Sequence, residues 1–129
     1  MTSDSTSSDS LASILTRLAT DMQGIQFQDV ISVIDDNYDY SPTAFTNGIS
    51  DDRLFNEAGS NEGSCKIFCF GRLHKLSKQQ TLNCFGDYYR IDVMQNPHGT
   101  DHMNIRNFIR HGWSGIIFEG DALKVSSNR

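Results

Sequence analysis

The sequence has no long apolar run. None of its stretches approaches the roughly 18 residues that are needed to span a bilayer. Residues 1–10 also lack the basic start and the apolar middle of a secretory signal. We therefore expect a cytoplasmic protein without membrane association.

Positive charge and cysteine are both scarce. The 11 Lys and Arg face 16 Asp and Glu, for a formal net charge of −5 at pH 7. Such a chain lacks the basic field that attracts nucleic acid, so we expect no nucleic-acid partner. The three cysteines, Cys65, Cys69 and Cys84, contain no CxxC pair. This pattern favours free thiols in a reducing compartment.

The composition suits a single domain. A chain of 129 residues with 37% hydrophobic residues can close one core but not two. Residues 1–10 are Ser, Thr and Asp after Met1, which predicts a disordered tail. We assign residues 11–120 to one helical domain and predict a flexible C-terminus at residues 121–129.

Helical spacing of apolar residues marks the first half of the chain. The pattern i, i+3, i+4, i+7 predicts two successive amphipathic helices, the first capped by Ser10. Residues 64–74 are apolar on nearly every side, which predicts a buried central helix. The apolar positions of the first two helices are Leu11, Ile14, Leu15, Leu18 and Met22, then Phe27, Val30, Ile31, Ile34 and Tyr38.

Capping signals and glycines organise the rest. Ser77 and Gln80 fit a capping box, which predicts a helix from there to Val93 with Gly86 in its interior. Thr100 is predicted to cap a last helix that ends at Gly112. Turn residues between 46 and 63 predict a long loop, and residues 115–118 a short extended segment. The fold class is therefore mainly α, a compact orthogonal bundle of about five helices.

Several residues are suited to chemistry. His102, Arg106 and Arg110 follow one another at i, i+4 and i+8, which indicates either an anion site at the last helix or a solvated face paired with acids. His98, His102 and Asp101 are candidate metal ligands, although the spacing matches no known signature. Cys65 and Cys69 are candidate nucleophiles, although apolar surroundings raise a thiol pKa.

Longer motifs carry a family resemblance. The segments 61–66 (NEGSCK), 84–90 (CFGDYYR) and 99–108 (GTDHMNIRNF), with 27–30 and 38–45, are similar to the HopJ type III effector family. The resemblance covers roughly residues 27–118. It implies a small bacterial helical domain, named after proteins that are injected into host cells, without an established activity or catalytic residues.

Three functions follow as hypotheses. We favour a non-enzymatic binding module, expected to be monomeric and without a cofactor, that docks a protein or a small anionic ligand. The alternatives are a small hydrolase or transferase using a Cys/His/Asp cluster, and an anion- or metal-binding protein. Secretion into a host cell stays open beside the cytoplasmic location. The predicted polar groove consists of Glu62, Lys66, Asp87, Tyr88, Arg90, Asp101, His102 and Arg106.

Overall fold

The first two helices form where the sequence predicts them. In the computed structural model, which describes residues 10–126, α1 spans Leu11–Thr20 and α2 spans Phe27–Asn37. The Ser10 hydroxyl accepts a hydrogen bond from the Ser13 amide at 3.0 Å, so the predicted cap is confirmed. A short 3-10 helix, Met22–Gly24, separates the two helices. The predicted tail lies outside the described residues except for Ser10.

Helix α3, Glu62–Leu73, is the central helix that the sequence predicts. Its residues Ile67, Phe68 and Phe70 have no exposed surface. The Phe68 ring centroid lies 4.9 Å from that of Phe108 and 5.4 Å from that of Phe85. The core therefore forms around α3, with the other helices packed on it.

Two small antiparallel sheets correct the prediction of a mainly α fold. β1 (Tyr38–Tyr40) pairs with β5 (Leu123–Val125), and β2 (Phe45–Asn47) lies between β3 (Leu54–Asn56) and β4 (Ile116–Phe118). The β1–β5 and β2–β4 pairs join strands that are distant in sequence, which local spacing does not reveal.

The sheets also change three local assignments. The predicted loop at 46–63 contains the end of β2, a 3-10 helix at Ser50–Asp52 and all of β3. Tyr38, predicted on α2, is the first residue of β1. The predicted extended segment at 115–118 is confirmed by β4. β5 shows regular structure at 123–125, where the sequence predicts a flexible end; residues 127–129 lie outside the described part.

The helix predicted from Ser77 to Val93 is interrupted. Its capping box is confirmed, but α4 spans only Lys78–Asn83, and a π-helix follows at Tyr88–Val93. Between them Gly86 has a φ of +60°, and a Cβ there would lie 2.6 Å from the Phe27 amide nitrogen. The predicted continuous helix is therefore divided at Gly86, where the backbone packs closely on the start of α2.

The last helix begins later than predicted. α5 spans Met103–His111, preceded by His102 with a φ of 53°, and Thr100 does not cap it. Gly112 ends α5 with a φ of 64°, as predicted, and a 3-10 helix follows at Gly112–Gly115. No helix in the described range 10–126 has the length and apolar character to cross a membrane.

Candidate functional site

A cleft of about 500 Å³ lies where the N-terminal ends of α3 and α5 meet. Volumes of about 300–1,000 Å³ are typical of small-ligand sites. Its polar wall is made by the first turns of the two helices, and its apolar wall by rings from α2 and the segment after α4. The lining residues are Phe27, Leu54, Asn61, Gly63, Ser64, Phe85, Tyr88, His102, Met103, Asn104 and Ile105.

At the α3 side, Asn61 stands before the helix in the left-handed conformation, with φ 51° and ψ 49°. Its side chain does not cap α3. The first amides of a helix have no intrahelical acceptor, so those of Glu62, Gly63 and Ser64 remain as donors. A Cβ on Gly63 would lie 2.8 Å from Phe27 Cζ, so glycine allows the aromatic ring to close on the helix start.

The α5 side repeats this arrangement. His102 is also left-handed, with φ 53° and ψ 47°, and its side chain does not cap the helix. Four non-glycine residues in the described part have a positive φ, and two of them, Asn61 and His102, line this cleft. Uncapped helix starts carry a partial positive charge. Two helix starts with partial positive charge therefore face one cleft.

The acidic residues near the α5 start are paired. His102 Nε2 lies 3.0 Å from Asp92 Oδ2 and 3.9 Å from Asp101 Oδ2. Asp101 Oδ1 accepts a hydrogen bond from Arg106 Nη2 at 2.7 Å, and this bond lowers the pKa of the Asp101 carboxyl group. The Asp101 carboxylate near the α5 start is therefore matched to a cation.

Aromatic rings form the opposite wall. The Tyr88 ring centroid lies 5.2 Å from those of both Phe27 and His102. Tyr88 remains 44% exposed, although it contacts both rings. The wall therefore offers apolar ring surface that is partly open to solvent.

Buried asparagines fix the polar wall from behind. Asn104 Nδ2 donates to Asn56 Oδ1 at 2.9 Å, while Asn104 Oδ1 accepts from Asn47 Nδ2 at 2.9 Å and from Asn56 Nδ2 at 3.2 Å. Asn61 Nδ2 donates to Asn56 Oδ1 at 2.7 Å. This asparagine network (Asn47, Asn56, Asn61 and Asn104) links the β2–β3 hairpin to both helix starts. It therefore holds the two helix starts in a fixed relation.

Sequence reasoning missed this network. Asn104 and Asn107 lie on the inner side of α5, 7% and 2% exposed, beside the buried apolar residues Ile105 and Phe108. Asparagine is unfavourable within a helix because its amide competes for backbone bonds. Two asparagines at i and i+3 beside a buried stripe are the signal that could have revealed it.

The eight predicted groove residues are distributed over several places. Tyr88 and His102 line the cleft, and Asp101 and Arg106 lie beside it. Asp87 pairs with Arg90 at 3.8 Å, and Arg90 donates to the Ile25 carbonyl. Glu62 accepts from the Tyr40 hydroxyl at 3.1 Å, and Lys66 pairs with Asp35 at 2.9 Å. Glu62, Lys66, Asp87 and Arg90 are thus held by contacts within the fold and do not line the cleft.

The predicted basic stripe is broken. Arg106 is 7% exposed and bonds to Asp101 and to the Asn96 carbonyl, whereas Arg110 points to Asp52 at 3.0 Å. The helix start predicted at Thr100 is wrong, because the N-cap of α5 is His102, two residues later. The donors instead belong to the first turn at Met103.

The thiols lie in the core rather than in the cleft. Cys65 Sγ donates to the Thr43 carbonyl at 3.5 Å, and burial raises the pKa of all three thiols, for Cys84 to about 12. A raised pKa reduces the thiolate fraction that attacks substrates. Within residues 10–126 no three His, Cys, Asp or Glu residues are grouped to hold a metal. The cysteine and metal alternatives thus gain no geometric support.

Comparison with known proteins agrees with the motifs. The fold and cleft define a small domain in which helices and short antiparallel strands enclose one core. The HopJ type III effector protein family matches residues 11–123, and the chain belongs to this family. The predicted resemblance is confirmed.

A solved structure supports the same conclusion. The chain is 48% identical to an unknown function protein, VPA0580, known from a crystal structure, with a TM-score of 0.86. The similarity covers 92% of this chain and 96% of that one. No match was found among the curated proteins.

Proposed function

We propose that the chain is a non-enzymatic binding module that holds a small anion with a planar or apolar body in the cleft between α3 and α5. The observation that carries the proposal is the convergence of two uncapped helix starts on one ligand-sized cleft. The anion would accept from the amides of Gly63, Ser64 and Met103. Its flat body would lie against Phe27 and Tyr88.

Rigidity supports this proposal. The asparagine network fixes the donors before a ligand arrives, so little entropy is lost on binding. The Tyr88 ring, 44% exposed, would lose solvent contact when covered. Polar donors on one side and an aromatic face on the other favour benzoate-like anions over inorganic phosphate.

Substitution of Ser64 tests the site. Ser64 is the third residue of α3, and Ser64→Asp places a carboxylate at the helix start, where it takes the position of the ligand anion. We expect a higher melting temperature than for Ser64→Asn and loss of benzoate binding. A ligand at about 100 times its dissociation constant adds about 2.7 kcal/mol, which a thermal shift detects.

Ser13→Asp is the matched control, because Ser13 is the third residue of α1. It adds the same charge at another helix start and should leave benzoate and phosphate binding unchanged. The proposal fails if no probe gives a saturable shift, or if Ser64→Asp binds as well as the native chain.

We further propose that the protein acts inside a host cell. The support is membership of a family whose name denotes type III effectors. A fusion to a calmodulin-dependent cyclase would produce cyclic AMP in host cells only when the secretion system is intact. Equal signals with and without that system would contradict translocation and leave the binding proposal untouched.

A further inference from the structure

A second cleft, of about 490 Å³, lies between the end of the π-helix and the outer side of α5. Its floor and walls are apolar for most of their length. Met103 lines this cleft and the first one, so the two are neighbours. The lining residues that carry the argument are Met94, Pro97, Met103, Arg106, Ile109 and Arg110.

The charged lining residues of this cleft are two arginines, without an acidic residue among the lining. Arg106 is held by three bonds: Nε to the Asp101 carbonyl at 2.6 Å, Nη1 to the Asn96 carbonyl at 2.8 Å, and Nη2 to Asp101 Oδ1 at 2.7 Å. A guanidinium group has five donors, so two N–H groups remain. A buried, fixed guanidinium with spare donors is suited to a carboxylate.

The loop before α5 is shaped around this guanidinium. A Cβ on Gly99 would lie 2.6 Å from Arg106 Nη2, so glycine is required for the guanidinium to lie against the loop. Gly99 also lines the cleft. The donors of Arg106 are thus positioned at the cleft wall before any ligand binds.

Arg110 supplies a second cation, on an exposed side chain. Its Nη1 donates to Asp52 Oδ2 at 3.0 Å, and its side chain is 56% exposed. The Asp52 carboxylate also bonds His111 Nε2 at 2.9 Å, so it remains satisfied if Arg110 turns away. Arg110 can therefore reach a ligand at low cost.

The apolar part of the cleft is open to water. Met94 is 54% exposed and Met103 is 38% exposed, although both are large hydrophobic residues. Methionine side chains adapt to the shape of a flexible apolar ligand. A ligand chain that covers both would remove apolar surface from solvent.

We propose that this cleft binds an amphiphilic carboxylate, a medium-chain acyl acid, with its carboxylate on Arg106 and Arg110 and its chain across Met94 and Met103. The charge pattern selects an anionic head group, and the volume lies in the range of small-molecule sites. This site is separate from the anion cleft of the proposed function.

Methionine-methyl NMR with decanoate tests the proposal. The chain has four methionines: Met94 and Met103 line this cleft, whereas Met22 shares a different cleft with Met94, so its methyl signal distinguishes binding at the two places. Below the micelle concentration, decanoate should shift the Met94 and Met103 methyl signals in a saturable way and leave Met22 unchanged. Decanol, which lacks the carboxylate, should bind more weakly.

Matched variants decide the outcome. Met94→Asp should weaken decanoate binding by about tenfold or more. Ile91→Asp, on the π-helix that Met94 follows, should not, because Ile91 is 46% exposed but lies outside the cleft. Arg110→Gln should weaken decanoate and leave decanol unchanged. Equal binding by Met94→Asp and Ile91→Asp, or equal binding of decanoate and decanol, would overturn the proposal. Ser64→Asp should retain decanoate binding, so failure of the first cleft is distinguishable.

Discussion

Asn104 contributes to stability through its amide rather than through apolar contact. Its side chain bonds Asn47 and Asn56, which are 0% and 1% exposed. Asn104→Leu removes three side-chain hydrogen bonds with these two amides and places an apolar group against them, so we expect the free energy of unfolding to fall by about 2–4 kcal/mol. Urea unfolding followed by circular dichroism measures this change.

Asn96→Leu serves as the control, since Asn96 is exposed and its side chain bonds only the Asp92 carbonyl. We expect a change below about 1 kcal/mol. A loss of similar size in both variants would contradict the importance of the asparagine network.

His74 makes stability depend on pH. Its Nε2 lies 2.5 Å from the Tyr38 hydroxyl, and burial lowers the pKa of His74 from 6.5. As pH falls through 6.5, the unfolded chain takes up a proton at His74 more readily than the folded chain does. This contribution is therefore complete above about pH 7.5 and is lost toward lower pH.

His74→Gln removes that contribution. We expect the free energy of unfolding to decrease less between about pH 7.5 and pH 5.5 in the variant than in the native protein. Urea unfolding at both pH values measures the difference. Parallel pH profiles for the two proteins would show that His74 does not titrate differently on folding.

Gly86 decides where the helical segments divide. Gly86→Ala introduces the strain of a positive φ, and the new Cβ would lie 2.6 Å from the Phe27 backbone nitrogen. Gly59 also has a positive φ, of +89°, but a Cβ added there would have nothing within 4 Å. We expect Gly59→Ala to cost about 1 kcal/mol from strain alone, and Gly86→Ala at least about 2 kcal/mol more. Thermal unfolding of both variants compares them, and equal losses would exclude the packing contribution.

Substitutions of two neighbouring residues test whether β5 contributes to the stability of the fold. Leu123 is 3% exposed, whereas Lys124 on the same strand is exposed. We expect Leu123→Ser to lower the free energy of unfolding by about 3 kcal/mol and Lys124→Ser by less than about 0.5 kcal/mol. Small, equal effects in chemical denaturation would support the predicted flexible end instead.

Elements with local signals are those that the sequence predicts well. Ser10 and Ser77 mark helix starts because their hydroxyls bond amides three residues away. The β strands depend on pairing across the chain, as between Phe45 and Phe118, and no local pattern encodes that pairing. The predicted start of α5 is wrong because His102, not Thr100, takes the turn into the helix, in a conformation that histidine adopts rarely.

The whole molecule shields its thiols together. Cys65, Cys69 and Cys84 are all buried, and burial raises their pKa values. We expect Ellman's reagent at pH 8 to label the native chain slowly and all three thiols at once in urea, because access requires unfolding. A thiol that reacts within seconds in the native state would contradict this burial.

The candidate cleft is only partly predictable because it is a property of the assembled chain. The predicted groove includes Tyr88 and His102 but omits Asn61, Ser64 and Met103, which reach the same cleft from helix starts about 40 residues apart in sequence. Polar residues that form structural ion pairs, such as Lys66 with Asp35, cannot be distinguished in the sequence from residues of a binding site.

The left-handed residues at the two helix starts have a consequence for protein engineering. Glycine at His102 would relieve backbone strain of about 1 kcal/mol, so a library selected for heat resistance alone should enrich glycine there. A library selected for ligand retention should keep the histidine, because its ring contacts Tyr88 in the cleft. The two selections would therefore drive position 102 in opposite directions, whereas both should keep Asn61, which anchors the asparagine network.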